Sequence, residues 1–525
     1  MPNAVLPLHP DLEQLKRQAK ELLRSAKGAD PAALARFRAL PAYQDLTDEQ
    51  LQRIPLALRD AQSVIARQYG FPSWNALSEQ VSLSTLTLDD AVREFVEAAT
   101  DGRNERAQRL LRSHPGIVGA NLQVALVTGD ATRALASLAE NPALARESGG
   151  PRSWQPLHYV CHTSLHPGSA ADPDGLVAIA RRLLELGVDP NTRFPWLHHG
   201  VRRPVLWGAA LIVHLLPLMD LLLRAGANCS DGVTLPLAAA AGDFGVLDLL
   251  FAHGADPNQP WASDGAAPLY AILIWAATPG GAHWLLEHGA HADPVFAENG
   301  ETPLHVVARR WDVALAEALV SRGADPTRKR ADGRTPYAIA ELNANRAVAD
   351  WLLSQRAAGE LLPIDRMVSA ASRGDRATVA SLLAAQPALR NEIGNEHYAT
   401  LYSAAERGDA AALEALLAAG LDPNRGDEEI GRTALHCAAM AGRLAAVRVL
   451  LDHGASPDVR DREFDAPPLV WAAEGARSHL ENEADYARIG RLLLSVASPL
   501  EWHSDQEPAD GILEKIDKWR RARPQ

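Results

Sequence analysis

The sequence predicts an all-α chain of stacked helix pairs, and three observations carry that prediction. Short motifs recur with a period of about 33 residues, two brief apolar-periodic runs lie between successive motifs, and a glycine followed closely by Pro closes many of the second runs. A period in that range marks a repeat array, in which one unit cannot bury its apolar face alone and stacking completes the core. With 525 residues, 47% hydrophobic and 22% charged, the chain is long enough to bury a large core.

The motifs fix the register of the units. ETPLHVVARR begins at Glu301 and GRTPYAIAEL at Gly333; Thr302 and Thr335 hold the same place one period apart, each followed by proline. GRTALHCAAMAGRLAAVRVLLDHGASPD, residues 431–458, is the fullest copy. A second motif runs out of phase with the first: GVDPN at Gly187, GADPN at Gly254, GADPT at Gly323, GLDPN at Gly420 and GASPD at Gly454. Glycines 374, 408, 442 and 475 follow one another at nearly equal intervals.

Each signature residue has a mechanical reason. Thr433 suits the N-cap of a first helix, and in Thr302-Pro303 the proline takes the first helical position, where its missing N–H costs nothing. Ala438 and Ala439 keep one face small for close stacking. Gly442 permits the turn into the second helix, and Gly454 suits the left-handed residue that closes it.

This pattern resembles the ankyrin repeat, whose Thr-Pro-Leu-His motif and helix-pair unit are specific when they recur. The resemblance covers residues from about 88 to 500, most strongly 299–345 and 431–460. It implies an ankyrin-repeat solenoid of about twelve units with an extended concave groove, and it implies protein binding. RLLRSHPGIV, SLAENPAL and SLLAAQPAL close their second helices with proline instead, and the third follows SQRAAGELLP, residues 354–363. The expected organisation is therefore a repeat array over 88–356, a second sub-array over 361–500 and a basic C-terminal tail over 501–525.

Residues 1–85 do not fit the period. DLEQLKRQAKELLRSAK reads as an amphipathic helix, LTDEQLQRI carries a Thr47–Gln50 capping box, and LALRDAQSVIARQYG is a third helical run. In YGFPSWNAL, Gly70 suits a helix stop and Ser73 the cap of the next helix. The segment resembles a short helical region ahead of ankyrin repeats in many bacterial proteins, and the expectation is an N-terminal helical cap. A bias toward Ala, Leu and Arg points the same way, to a bacterial source.

Composition excludes several function classes. A net charge of −13 argues against nucleic-acid binding, which needs a basic face. Three cysteines in a long chain, Cys161, Cys229 and Cys437, point to a reducing, cytoplasmic setting rather than a disulfide framework. The start lacks the basic and apolar regions of a secretory signal. PVLWGAALIVHLLPLMDLLL, residues 204–223, is interrupted by His214, Pro217 and Asp220, so no membrane span is expected.

LHYVCHTSLH, residues 157–166, is the stretch most suggestive of chemistry. His158 and His162 share a helical spacing of four with Cys161 beside them, as metal ligands do. Pro156-Leu157-His158 nevertheless matches Pro303-Leu304-His305, with Gln155 in place of the threonine. The resemblance therefore makes His158 the repeat histidine that braces its loop by hydrogen bonds, and Cys161 a small buried residue at the second alanine position. His162 and His166 alone do not make the three or four ligands of a zinc site, and no CxxC or HExxH motif occurs. GxSxG, GxxxxGK[ST] and strand-linked GxGxxG are also missing, so no catalytic residue, metal or cofactor is expected.

Residues 150–310 hold 11 of the 18 histidines and 6 of the 12 tryptophans. Two insertions fall there: HPGSAADPDG, residues 166–175, and NTRFPWLHHGVRRP, which lengthens the step from Gly187 to Gly226 beyond one period. The expected binding surface is residues 154–310. His166, Trp196, His198 and His199 lie on the insertions and Trp261 on a connecting loop. The resemblance places His162, Trp275, Arg309 and Arg310 on the groove face. Trp196 and Trp261 are read as anchors, Trp275 as a groove lining, and the two arginines as partners for carboxylates. The rival expectation is a small-molecule-binding protein or enzyme with the loops at 166–175 and 192–204 as a lid and His162, His166, His198 or His199 as acid, base or ligand.

Overall fold

A computed structural model of the chain describes residues 6–7, 10–44, 46–165, 171–196, 201–261, 265–478 and 486–497, with the side chains of residues 195, 196, 201, 275, 477 and 478 excepted. These residues are mostly helical, and the one regular sheet among them is a two-stranded hairpin. The chain divides into two compact units, residues 1–238 with 243–256, and residues 239–242 with 257–525.

The first unit opens with five helices, Leu12–Lys27, Pro31–Phe37, Asp48–Gln52, Leu58–Gln68 and Trp74–Ser84. Leu15, Leu22, Leu34, Phe37, Leu51, Val64, Ile65 and Leu77 form their common core. The capping box is present, Gln50 N donating to Thr47 Oγ1 at 3.3 Å and Thr47 N to Gln50 Oε1 at 2.9 Å. Ser73 caps the fifth helix, accepting from Ala76 N at 3.2 Å. Glu79 on that helix pairs with Arg106 at 3.2 Å and with Arg109, joining the bundle to the first helix pair. Pairs follow at 88–100 with 104–113, 122–128 with 131–140, 156–160 with 173–185, 205–211 with 216–224, and 234–241 with 244–252.

The second unit continues with pairs at 268–275 with 280–287, 303–310 with 313–321, 336–342 with 346–354, 363–372 with 376–385, 398–407 with 410–419, 434–440 with 444–452, and 468–478 with 486–496. One apolar core, from Leu342 through Met367, Leu401, Leu416, Leu435 and Leu450 to Leu493, runs through the later pairs. The N-caps fall where the motifs place them, Thr302 before Pro303, Thr335 before Pro336 and Thr433 before Ala434.

A histidine ties each Thr-x-x-His unit of this half to the next. Thr302 N donates to His305 Nδ1 at 3.2 Å, which leaves Nε2–H to donate to the Arg334 carbonyl at 3.3 Å. Thr433 N and His436 repeat the arrangement at 3.1 Å, with Nε2–H to the Ala466 carbonyl at 3.1 Å. His397 joins units in the other direction and without a threonine: Gly394 N donates to Nδ1 at 2.8 Å, and Nε2–H donates back to Asp365 Oδ1 of the preceding helix pair at 3.0 Å.

Asp365 is fully buried and also takes a two-pronged bond from Arg334, Nε at 2.9 Å and Nη2 at 2.8 Å. Burial alone would raise the Asp365 carboxyl, but the bonds from His397 and Arg334 outweigh it and hold its pKa below the usual carboxylate range. Three units thus meet on one carboxylate. Asp365→Ala leaves the Arg334 guanidinium buried without that partner, a change worth roughly 3–5 kcal/mol. Hydrogen exchange should report loss of amide protection in helices Pro336–Leu342 and Pro363–Ser372, and unchanged protection there would refute this account of the network.

Candidate functional site

The helix Pro156–Val160 is only five residues long, and Gln155 at its N-cap makes no side-chain cap. Its amide donates instead to the Arg146 carbonyl at 3.1 Å. In the regular units successive first helices start at Pro303 and Pro336; here they start at Pro156 and Val205, a longer step because both insertions fall between them. The second insertion is not an irregular loop. It forms an antiparallel hairpin of β1, Arg193–Trp196, and β2, Val201–Pro204, with Phe194 opposite Arg203 and Arg193 opposite Pro204.

These two changes remove both partners of the repeat histidine. His158 is 6% exposed, and neither ring nitrogen has a hydrogen-bond partner, so the bracing role expected from the resemblance is not made here. Gln155 offers no hydroxyl such as Thr302 Oγ1, which lies 2.8 Å from His305 Nδ1, its backbone N–H makes no bond to His158, and the hairpin stands in the sequence where the regular units have the loop whose carbonyl meets Nε2. His158 packs instead on Phe194, with ring centroids 5.3 Å apart.

His162, expected on the groove face, is fully buried. Its imidazole lies 4.7 Å from Phe194, 5.3 Å from Trp154 in an edge-on contact, and 5.8 Å from Trp207 in a stacked one. The insertion explains the difference: β1 brings Phe194 down onto the helix face that a regular unit leaves open. Cys161 is buried, and Gly208 approaches its carbonyl so closely that any Cβ at that position would collide with the oxygen. Burial pushes the Cys161 thiol up, which suits a packing residue and not a nucleophile. Among the described residues no group of three or more His, Cys, Asp or Glu is placed to hold a metal ion.

His166, His198 and His199 lie outside the described residues. The backbone of Trp196 ends β1 opposite Val201, and that of Trp275 ends the helix Pro268–Trp275; their side chains are outside the described set. Trp261 is half-buried in a short closed loop, its N–H donating to the Ala266 carbonyl at 2.8 Å and its carbonyl accepting from Gly265 at 3.0 Å.

Arg309 and Arg310, read from sequence as cations awaiting a partner, already have acceptors inside the chain. Arg309 pairs with Glu301, a buried carboxylate that also takes Arg330 at 3.0 Å and the Tyr270 hydroxyl at 2.9 Å. Arg310 donates to the Ile274 carbonyl and to the Ala276 carbonyl at 3.2 Å, and its guanidinium lies 5.0 Å from the Trp311 ring centre. Trp311 adds a bond from Nε1 to the Leu273 carbonyl at 2.8 Å. Together they satisfy the carbonyls at the C-terminal end of the helix Pro268–Trp275, which would otherwise lack partners. Sequence reasoning misses this role because the acceptors are backbone atoms one repeat away.

The buried imidazoles have a pH consequence. Burial, with a smaller push from Arg202, lowers His158 to about 4; burial, with Arg152 and His158, lowers His162 to about 3. Both are neutral in the folded chain near neutral pH, while in the unfolded chain they take up protons near pH 6.5. Their contribution is therefore complete above about pH 6.5 and is lost as pH falls from there toward 4 and 3. At pH 5 each costs about 2 kcal/mol. His158→Phe should flatten the profile of the urea midpoint between pH 7 and pH 5 by about that amount, and an unchanged slope would show that His158 is not neutral in the folded state.

Comparison with known proteins agrees with the geometry of the pairs. The family model described as "Ankyrin repeats (3 copies)" matches residues 273–360 and again 367–461. The Ankyrin repeat protein nuc-2 of Neurospora crassa is 29% identical over 175 residues, 33% of this chain and 15% of that protein. ARF GTPase-activating protein GIT1 of Homo sapiens is 41% identical over 69 residues, and GIT2 of Rattus norvegicus 38% over 69 residues. Each of those matches covers 13% of this chain and 9% of the relative, so the likeness is local and the chain spans a small part of each relative's length. The capped helix pairs and these matches together establish that the chain carries ankyrin repeats, stacked in an all-α fold.

Proposed function

We propose that the chain is a non-catalytic scaffold that binds a protein partner through its ankyrin repeats. The observation that supports this reading most directly is the employment of its reactive side chains. His305, His397 and His436 are spent on joining units, and Cys161 and Cys437 are buried with burial pushing both thiols up. Such a division leaves helix ends and loops as the surfaces that vary between repeat proteins.

Residues 154–310 supply the contact surface in this reading. In the first unit the hairpin carries it, with Trp196 as an anchor, His166, His198 and His199 on the insertions, and His162 supporting the strand from below. In the second unit Trp261 is the anchor, Trp275 lines the groove, and Arg309 and Arg310 keep the end of the helix Pro268–Trp275 in place for contact. Tryptophan suits both anchor positions because it offers a large contact area with few rotatable bonds. The three thiols are unpaired, in keeping with a reducing, cytoplasmic setting.

Trp196 and Trp261 replaced together by alanine should retain the far-UV dichroism of the wild type and lose capture of the proteins retained by the immobilised wild-type chain, by about 2 kcal/mol or more for a true anchor. Undiminished capture would sink the assignment of these anchors.

A further inference from the structure

The hairpin concentrates positive charge in a chain that is otherwise acidic. Residues 190–219 contain Arg193, Arg202 and Arg203 and not one Asp or Glu, although the chain holds 65 acidic against 52 basic residues. None of the three arginines forms an ion pair within the described residues. Arg193 Nη1 donates to the Arg202 carbonyl at 3.4 Å, and Arg202 Nη2 donates to the Arg193 carbonyl at 2.7 Å, so each guanidinium is held across the hairpin by a neutral acceptor.

Arg203 stands opposite Phe194, on the same face of the hairpin, with its guanidinium 5.4 Å from the Trp207 ring centre. Its Nε is buried and has no hydrogen-bond partner. The carboxylate that acts on it is Asp231, and that group is fully engaged: Oδ1 accepts from Val233 N and Thr234 N at 2.7 Å each, and Oδ2 from the Thr234 hydroxyl at 2.6 Å. Beside Phe194 lies His158, with both ring nitrogens buried and unpartnered, within the field of Arg202. Thr192 Oγ1, next to β1, is a further buried polar atom without a partner. Each such group carries a desolvation cost that the free protein does not recover. The outward face carries Arg193 and Arg202, and two pre-positioned cations side by side are complementary to an acceptor-rich anion.

We propose that the outward face of the β1–β2 hairpin, through Arg193 and Arg202, binds carboxylates of an acidic peptide segment. This rests on the protein-binding reading and names the chemistry of the partner. Two outward guanidiniums on opposite strands suit several carboxylates carried on one chain better than a single ion, because a bidentate bond to one of them leaves the other free for a neighbouring carboxylate.

The test uses the full-length chain and a fluorescein-labelled hexaglutamate peptide at low salt, followed by polarisation. The wild type should bind it, and Arg193→Gln with Arg202→Gln should weaken binding by about tenfold or more, the loss expected for removing charge-assisted bonds. Arg356→Gln with Arg366→Gln, two exposed arginines elsewhere, should leave it unchanged.

Absence of binding to the wild type, or equal loss in both double variants, would overturn the proposal. Competition by free glutamate or inorganic phosphate at the same concentration as the peptide would also overturn it, since the occupant would then be a small ion. Partner capture by the Trp196 and Trp261 variant fails or succeeds independently, so loss of this proposal is distinguishable from loss of the protein-binding reading.

Discussion

A helix of only two turns makes few internal hydrogen bonds and leaves most of its terminal backbone groups unpaired, so it does not persist alone. Every first helix of the motif-bearing repeats is of that size: Pro303–Arg310, Pro336–Leu342 and Ala434–Met440. The constraint on the whole array is that each such helix be completed by its neighbours. Where Thr-x-x-His occurs, the imidazole meets that need twice, accepting from the N-cap amide behind it and donating to the carbonyl ahead. One small ring thereby sets both where a helix begins and how far away the next unit's loop must lie, which is why the period holds wherever that motif recurs.

Departures from that period follow the same logic. At His397 the bond from Nε2 runs backward instead, to Asp365 of the preceding helix pair, a charged acceptor that must itself be neutralised, and Arg334 from the unit before that supplies the neutralising charge. The array keeps its continuity through residues 355–362 at the cost of burying an ion pair, and that pair is held because each of its members has further bonds. At His158 a hairpin stands in the sequence where the regular units have the loop with the carbonyl ahead, and nothing polar takes its place. Aromatic packing does: Trp154, Phe194 and Trp207 surround His162, and Phe194 covers His158. Rings hold the insertion to the stack without prescribing a spacing, which is how an enlarged unit can stand among regular ones.

Legibility of the sequence tracks these two kinds of contact. Caps, glycine turns and the period are local, carried by residues within four positions of one another, and Thr47, Ser73, Thr302 and Thr433 all fold as their neighbours predict. What the sequence leaves unread is non-local. Nothing in NTRFPWLHHGVRRP signals a strand pair strongly, since the alternation is short and proline interrupts it. His162 reads as exposed because a regular unit exposes that position, and only the hairpin buries it. Arg309 and Arg310 read as free because their acceptors, Glu301 and the carbonyls of residues 274 and 276, are set by stacking. The substitution of Gln155 for threonine is visible, and it is the one local sign that His158 loses its brace.

The arginines of the two halves show what an insertion changes. Arg330 and Arg334 lie between successive units and find carboxylates there, Glu301 and Asp365, because the period brings their loops together, and Arg309 shares Glu301 from within its own unit. A side chain inserted outside the period has no such appointed neighbour. Arg193 and Arg202 find only each other's carbonyls, and Arg203 finds an aromatic face. Three arginines with no carboxylate partner among the described residues thus fall together on one inserted element, and charge gathered on an insertion is where recognition has room to act.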